Sequence, residues 1–99
     1  YNVGPDDCDC VTTGDLVDLF CRCWGEGARW ENRAEANAPH EANFLKLDCS
    51  KLKAAFGWHP RWHIEECMRM TCRFGKVWLA GGDIPAEMDA EIAEFLHGC

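Results

Sequence analysis

Eight cysteines give this 99-residue sequence its clearest potential for chemistry. Two pairs have the spacing Cys-x-Cys, Cys8 with Cys10 and Cys21 with Cys23, and four thiolates are enough to complete a tetrahedral zinc site. Zinc ribbons, however, usually hold the metal on Cys-x-x-Cys turns, and helical residues two apart point about 200° apart around the axis. We therefore expect no metal ligands and interpret the cysteines as reduced thiols. A zinc-stabilised interaction domain is the alternative.

Histidines and aromatic side chains offer a second kind of site. The histidines at 40, 59, 63 and 97 could serve as general bases, but no nucleophile is recognisably paired with any of them. The segment 58–63, Trp-His-Pro-Arg-Trp-His, could stack a ring or hold a phosphate, although a packed corner is the favoured interpretation. The sequence contains no glycine-rich phosphate loop and no recognisable Ser/His/Asp set. We predict no catalytic residue in this chain.

Charge and length exclude several classes of protein. The sequence has 10 Lys and Arg against 17 Asp and Glu, a formal net charge of -7, so a nucleic-acid-binding face is not expected. No apolar run approaches the roughly 20 residues that cross a bilayer, so no membrane partner is expected. A cytoplasmic location is predicted. Because the first residue is Tyr1 rather than Met, the sequence is interpreted as a possible fragment of a longer polypeptide.

The elements that would position these residues are mainly helical. Thr12 and Asp15 match a capping box before an amphipathic helix that Gly25 should end. A short helix is predicted after Asp48, which would be its N-cap, and Gly57 should end it. A longer helix should begin near residue 64 and stop at 81–82, and a last helix should begin around residue 85. The longer helix should have a core stripe of Ile64, Cys67, Met68, Thr71, Cys72, Gly75, Trp78 and Leu79. The last helix should have one apolar side, formed by Met88, Ile92, Phe95 and Leu96.

Short strands are expected between the helices. Residues 1–4 look like the end of a strand, residues 28–32 form a possible strand around Trp30, and residues 44–47 alternate apolar and polar side chains. The polar stretch 33–43 is predicted to be a loop. Together these elements predict an α+β fold with about four helices and two or three short strands.

One pattern resembles a known superfamily. Asp48-Cys49-Ser50-Lys51-Leu52-Lys53, followed by Phe56-Gly57-Trp58-His59-Pro60, resembles the C-terminal D-x-S-K and G-W-x-P signature of extended short-chain dehydrogenases/reductases that act on nucleotide sugars. Tyr1-Asn2-Val3-Gly4 is similar to the Y-N-x-G strand of that superfamily. The stretches at 14–20, 24–27, 39–42 and 45–51 are most similar to the CDP-glucose 4,6-dehydratase family.

The resemblance implies that residues 1–99 are one C-terminal substrate-binding segment of a larger lyase. Such a parent enzyme binds NAD in an N-terminal Rossmann domain and converts CDP-glucose to CDP-4-keto-6-deoxyglucose in deoxysugar biosynthesis. The family's glycine-rich NAD motif and catalytic groups precede the matched region. The resemblance therefore implies an active parent with NAD held outside this chain, and a chain that is inactive by itself. A homodimer is one candidate assembly of the parent.

Substrate contacts are the role that the resemblance could transfer. In related enzymes the loop before D-x-S-K contributes groups to the ribose and diphosphate, and His40 and Glu41 occupy that place. Glu41 would accept hydrogen bonds from ribose hydroxyls, and His40 would be a polar or phosphate contact nearby. Many relatives have an Arg three residues before the acidic position, where this sequence has Ala38. A stand-alone nucleotide-sugar binding module is a further alternative.

Overall fold

A computed structural model describes residues 1–33 and 46–97. Within them the chain forms a 3₁₀ turn, Asp7–Asp9, and four α-helices. The helices are α1 (Thr13–Trp24), α2 (Ser50–Phe56), α3 (Ile64–Leu79) and α4 (Ile84–His97). None of these helices is both long enough and apolar enough to cross a membrane.

Helix α1 begins and ends where its sequence signals predict. The side chain of Thr12 accepts a hydrogen bond from the Asp15 N–H at 3.1 Å, which satisfies one of the donors left free in the first turn. Gly25 follows the last helical residue with φ of 70°, a conformation that costs glycine little. The predicted Thr12 cap and the glycine stop are confirmed.

The corner between α2 and α3 is also confirmed. Gly57 adopts the left-handed conformation with φ 60° and ψ 25°, and its N–H donates to the Lys53 carbonyl. Residues 57–63 then leave the helical path and α3 begins at Ile64. Because Pro60 has no N–H to donate and fixes its own φ, it prevents helical continuation through this segment.

Helix α3 is the centre of the packing, with α1 against one side and α4 against another. Cys72 and Met70 are the most buried side chains of α3, at 2% and 5% exposure. Gly75 lets α1 approach closely, because a Cβ there would lie 3.2 Å from the Trp24 ring. The predicted core stripe of α3 was wrong at its C-terminal end, where Trp78 is 65% exposed.

Polar contacts attach α4 to α3. The Arg73 guanidinium pairs with Glu87 and with Glu94, one turn and three turns along α4. The hydrogen bond from Arg73 lowers the pKa of Glu94. Asp83 starts α4 by accepting from the Ala86 N–H at 3.0 Å, so the acidic side chains of this segment form specific contacts at both ends of the helix.

The predicted α+β fold is wrong, because residues 1–33 and 46–97 contain no strand. Residues 1–4 and 46–49 do lie together: the Asn2 side chain donates to the Asp48 carbonyl, and the Leu47 side chain lies 3.4 Å from a Cβ built on Gly4. These contacts use side chains, whereas a strand requires paired backbone N–H and C=O groups. Residues 28–32 likewise form no strand, and the 44–47 prediction falls partly outside the described residues.

Large apolar side chains remain exposed over much of the described surface. Among the described residues, the buried hydrophobic side chains are Leu19, Cys49, Met70 and Cys72. The stripe predicted to be one apolar side of α4, Met88, Ile92, Phe95 and Leu96, is instead between 38% and 57% exposed. Single exposed apolar residues are ordinary, but contiguous ones are typical of surfaces that another protein part covers.

The Arg73 ion pairs predict a defined pH dependence. Replacing Arg73 by Met should raise the pKa of Glu94 toward its ordinary value, because the hydrogen bond that holds the carboxylate is lost. A lowered folded pKa stabilises the fold above the unfolded carboxyl pKa of about 4.3, and this stability is lost as the pH falls through the folded pKa. Carbon-13 NMR of the carboxyl groups, combined with urea unfolding at several pH values, measures both effects.

The matched control is Arg69→Met, which removes an exposed arginine of the same helix. It should move the pKa of Glu94 much less, since Arg69 acts on that carboxylate only through a weaker long-range charge effect. Equal shifts in the two variants would contradict the assigned role of Arg73.

Candidate functional site

A polar cluster around the buried Asp9 joins the N-terminal 3₁₀ turn to the start of α3. Asp9 is 8% exposed, and its carboxylate accepts two hydrogen bonds from the beginning of α3. The Ile64 N–H donates at 3.1 Å and His63 Nδ1 lies 2.9 Å from the other oxygen. Because His63, the N-cap of α3, makes no capping bond with its own side chain, Asp9 supplies the cap from a distant part of the chain.

The two partners stabilise each other's charged forms. Burial tends to raise the pKa of Asp9, but the hydrogen bonds from His63 and Ile64 outweigh it and leave that pKa below its usual value. The hydrogen bond to Asp9 raises the pKa of His63. A histidine whose charged form is favoured in this way is a better cation and hydrogen-bond donor than a general base near neutral pH.

The D-x-S-K segment forms a local turn that starts α2. The Asp48 carboxylate accepts from the Ser50 N–H at 2.9 Å and from the Ser50 hydroxyl, and these bonds lower the pKa of Asp48. Asp48 was predicted to be the N-cap; the cap position is instead Cys49, one residue later. The carboxylate still satisfies the first helical N–H, so its predicted purpose is confirmed although its position is shifted by one residue.

A polar groove of about 610 Å³ lies beside this turn. Its lining includes Lys46, Asp48, Ser50 and Lys53, which are groups able to bind hydroxyls or phosphate oxygens. Lys53 also forms a 2.6 Å ion pair with Asp6. An anion that approached Lys53 would therefore compete with a carboxylate that already holds the ammonium.

The aromatic corner 58–63 is a packed structure with a shallow groove of about 520 Å³. Trp62 meets the Phe95 ring edge-on, with centroids 5.1 Å apart. Arg61 donates to the carbonyls of Phe95 and Leu96 at 3.0 and 3.1 Å, which satisfies acceptors at the end of α4. Since the guanidinium is used in this way, the corner favours packing over phosphate binding.

The predicted substrate contacts and the cysteine pairs have different outcomes. His40 and Glu41 lie outside the described residues, so their predicted role is not tested. Within 1–33 and 46–97, three or more potential metal ligands lie within 4.8 Å of one another only at Cys8, Asp9 and His63. The sulfurs of the two Cys-x-Cys pairs therefore form no such group among the described residues. The zinc hypothesis based on those pairs is therefore not supported.

The sequence does contain a signal for the role of Asp9 that was overlooked. Helix α3 is preceded by Trp62 and His63 and has no Ser, Thr, Asp or Asn at its N-cap. Such a residue usually accepts hydrogen bonds from the free N–H groups of the first turn. An acceptor from elsewhere was therefore required, and the acidic stretch at 6–9 was available. The sequence could not indicate which of its three carboxylates would be buried.

Replacing Asp9 by Ala should lower the free energy of unfolding by about 1 to 3 kcal/mol, because it leaves a helix N–H without its buried partner. The measurement is urea denaturation followed by circular dichroism. The control is Asp7→Ala, which removes an exposed carboxylate from the same turn and should change stability by less than about 0.5 kcal/mol. Equal losses in the two variants would show that general charge, and not the cap, is responsible.

Comparison with known proteins gives one informative relative. The chain is 40% identical over 96 residues to a CDP-glucose 4,6-dehydratase of Salmonella typhimurium (strain LT2). The match covers 97% of this chain and 26% of the relative, so the chain spans about a quarter of the length of the curated protein that it matches. No protein-family model matches the sequence. The chain is thus similar, over nearly its whole length, to one part of a nucleotide-sugar dehydratase.

Proposed function

We propose that this chain is the C-terminal, substrate-binding part of a CDP-glucose 4,6-dehydratase. The parent protein would convert CDP-glucose to CDP-4-keto-6-deoxyglucose with bound NAD, and residues 1–99 would form one segment of it. The observation that carries the proposal is the 40% identity that extends over 96 of the 99 residues. A match of that length is not confined to a single short motif.

The described polar groups favour a structural role over a catalytic one. These groups are largely used to build the fold: Asp9 caps α3, Asp48 starts α2, and Arg61 holds the end of α4. A general acid or base needs a reacting group within hydrogen-bond reach, and these side chains are engaged with backbone groups. Chemistry at the sugar would therefore come from residues of the parent outside this chain.

Within 1–33 and 46–97, the residues do not fit the dinucleotide. A Rossmann site needs a glycine-rich turn between a strand and a helix so that pyrophosphate can reach the helix N-terminus. The helix that follows residues 1–4 starts instead with Thr12 capping its own first turn. NAD would consequently be held by the parent's other residues, and its contribution there would be to accept and return a hydride.

Nucleotide-sugar recognition would centre on the sequence that leads into α2. Glu41 would accept hydrogen bonds from the ribose hydroxyls, and His40 would contact the nucleotide or its phosphates. In sequence these residues precede Lys46, Asp48 and Ser50, which line the polar groove. Ala38 leaves no arginine at the position where many relatives have one, so a cation for the diphosphate would come from elsewhere in the parent.

A chimera tests the proposed function. The matching quarter of the Salmonella dehydratase is replaced by this chain, and CDP-glucose is supplied with NAD. The expected result is a product that has lost one water, detected by mass spectrometry of the nucleotide sugar. The Salmonella enzyme without its matching quarter and this chain alone are the controls, and both should give no product. A chimera that folds and binds NAD yet gives no product would overturn the proposal.

The same chimera tests Glu41. Glu41→Gln should raise the KM for CDP-glucose about tenfold or more while changing kcat less, because a charged acceptor is lost from ground-state binding. Glu31→Gln is the control, since Glu31 is exposed and pairs only with Arg33 among the contacts described. A Glu41 variant with an unchanged KM would remove this residue from the proposed site.

Titration of the isolated chain with CDP addresses the alternative of a stand-alone binding module. A substrate-binding segment that depends on its parent should bind CDP at least about tenfold more weakly than the active chimera does. Equal affinity of the chain and the chimera would favour the module.

A further inference from the structure

We propose that Cys8, Asp9 and His63 form a binding site for a zinc ion that bridges the 3₁₀ turn to the start of α3. One donor atom from each residue lies within 4.8 Å of the other two. Ligands of a tetrahedral zinc ion lie about 3.3 to 3.6 Å apart, given metal–ligand bonds of about 2.0 to 2.3 Å. The proposed site shares Cys8 with one of the two Cys-x-Cys pairs, but its other ligands are Asp9 and His63. The inference does not depend on the proposed dehydratase function.

The geometry needs only a small adjustment. Asp9 Oδ2 and His63 Nδ1 are already 2.9 Å apart, close to the separation of two ligands on one metal. Cys8 is exposed, so its side chain can rotate to bring the sulfur closer without disturbing a packed core. His63 is also about half exposed, which gives the ion a path from solvent.

Asp9 is held by the kind of outer contact that ligating carboxylates need. Its second oxygen, Oδ1, accepts from the Ile64 N–H at 3.1 Å, and this bond can persist when Oδ2 binds a metal. Hydrogen bonds of this type fix the orientation of a ligating carboxylate. The beginning of α3 would therefore act as the support that fixes one ligand of the site.

The surrounding charge also favours a cation. Asp6 and Glu66 act electrostatically on His63, and Asp6 and Asp9 act on the Cys8 thiol. The negative charge of these carboxylates attracts a divalent ion, which would supply two positive charges between the three ligands.

The donor set selects the metal. A sulfur, an imidazole nitrogen and a carboxylate oxygen together suit zinc, whereas magnesium and calcium prefer oxygen ligands alone. On binding, the ion displaces the thiol proton of Cys8 and the proton between His63 Nδ1 and Asp9 Oδ2, and both leave to solvent when His63 is initially charged. No electron is transferred, and the fourth coordination position remains available to water.

The test uses cobalt, which occupies zinc sites and reports its ligands by colour. The reduced 99-residue chain is titrated with Co²⁺ alone, and zinc affinity is then measured by displacement of the cobalt. The expected spectrum has a sulfur-to-cobalt charge-transfer band and tetrahedral d–d bands that saturate at one ion per chain. Because the ion joins two segments of the fold, saturating zinc should also raise the midpoint of thermal unfolding.

The decisive comparison is between Cys8→Ser and Cys10→Ser, which replace the two members of one Cys-x-Cys pair. Cys8→Ser should remove the charge-transfer band and weaken metal binding by about 100-fold or more. Loss of an outer-shell partner alone weakens metal binding by about 10- to 100-fold, and loss of a direct ligand should cost at least as much. Cys10→Ser should leave both unchanged. His63→Ala should remove the tetrahedral bands while keeping the helical circular dichroism signal, which separates loss of a ligand from loss of the fold.

Two results would overturn the assignment. One is a cobalt spectrum without a sulfur band. The other is equal weakening by Cys8→Ser and Cys10→Ser, because this would indicate general binding by the many thiols of the chain.

Discussion

The hydrogen bond between Asp9 and the first turn of α3 is the interaction on which the described structure most depends. The Asp9 carboxylate contacts His63 and Ile64, which lie 54 and 55 positions further along the chain. It gives α3 the acceptor that its own sequence does not provide. Since α1 and α4 both pack on α3, the position of its first turn determines where the other helices can lie.

The helices could be predicted from sequence because their ends carry local signals. Thr12, Gly57 and Asp83 act on backbone groups within a few residues, so a single sequence contains the whole interaction. The strands could not be judged in the same way. An extended segment such as residues 1–4 becomes a strand only when a partner supplies backbone hydrogen bonds, and alternation of side chains does not reveal whether that partner exists.

Burial was also harder to predict than helix formation. Amphipathic periodicity identifies one apolar side of a helix, but α3 packs against two neighbours and buries Met70, which lies off the predicted stripe. Trp78 lies on the predicted stripe and is nevertheless exposed. The candidate polar site depended on the distant pair Asp9 and His63, and local spacing contains no information about such a contact.

The motifs that carry the family resemblance have structural roles in this chain. The D-x-S-K and G-W-x-P motifs indicated the superfamily resemblance through residues that prove to be structural: Asp48 starts a helix and Gly57 ends it. A motif can therefore identify relatives because it preserves a bend, even when its side chains do not touch a ligand. The exposed apolar side chains of α4 are compatible with a segment that belongs to a larger protein.

The bonds from Arg61 to the carbonyls of Phe95 and Leu96 have a mechanical consequence. They fasten the final turn of α4 to the bend that Pro60 helps to fix, although the two are more than thirty residues apart along the chain. Fraying of that terminal turn would release the guanidinium and loosen the bend at the same time. A fusion partner joined just after His97 would thus disturb a region that looks remote from it in the printed sequence.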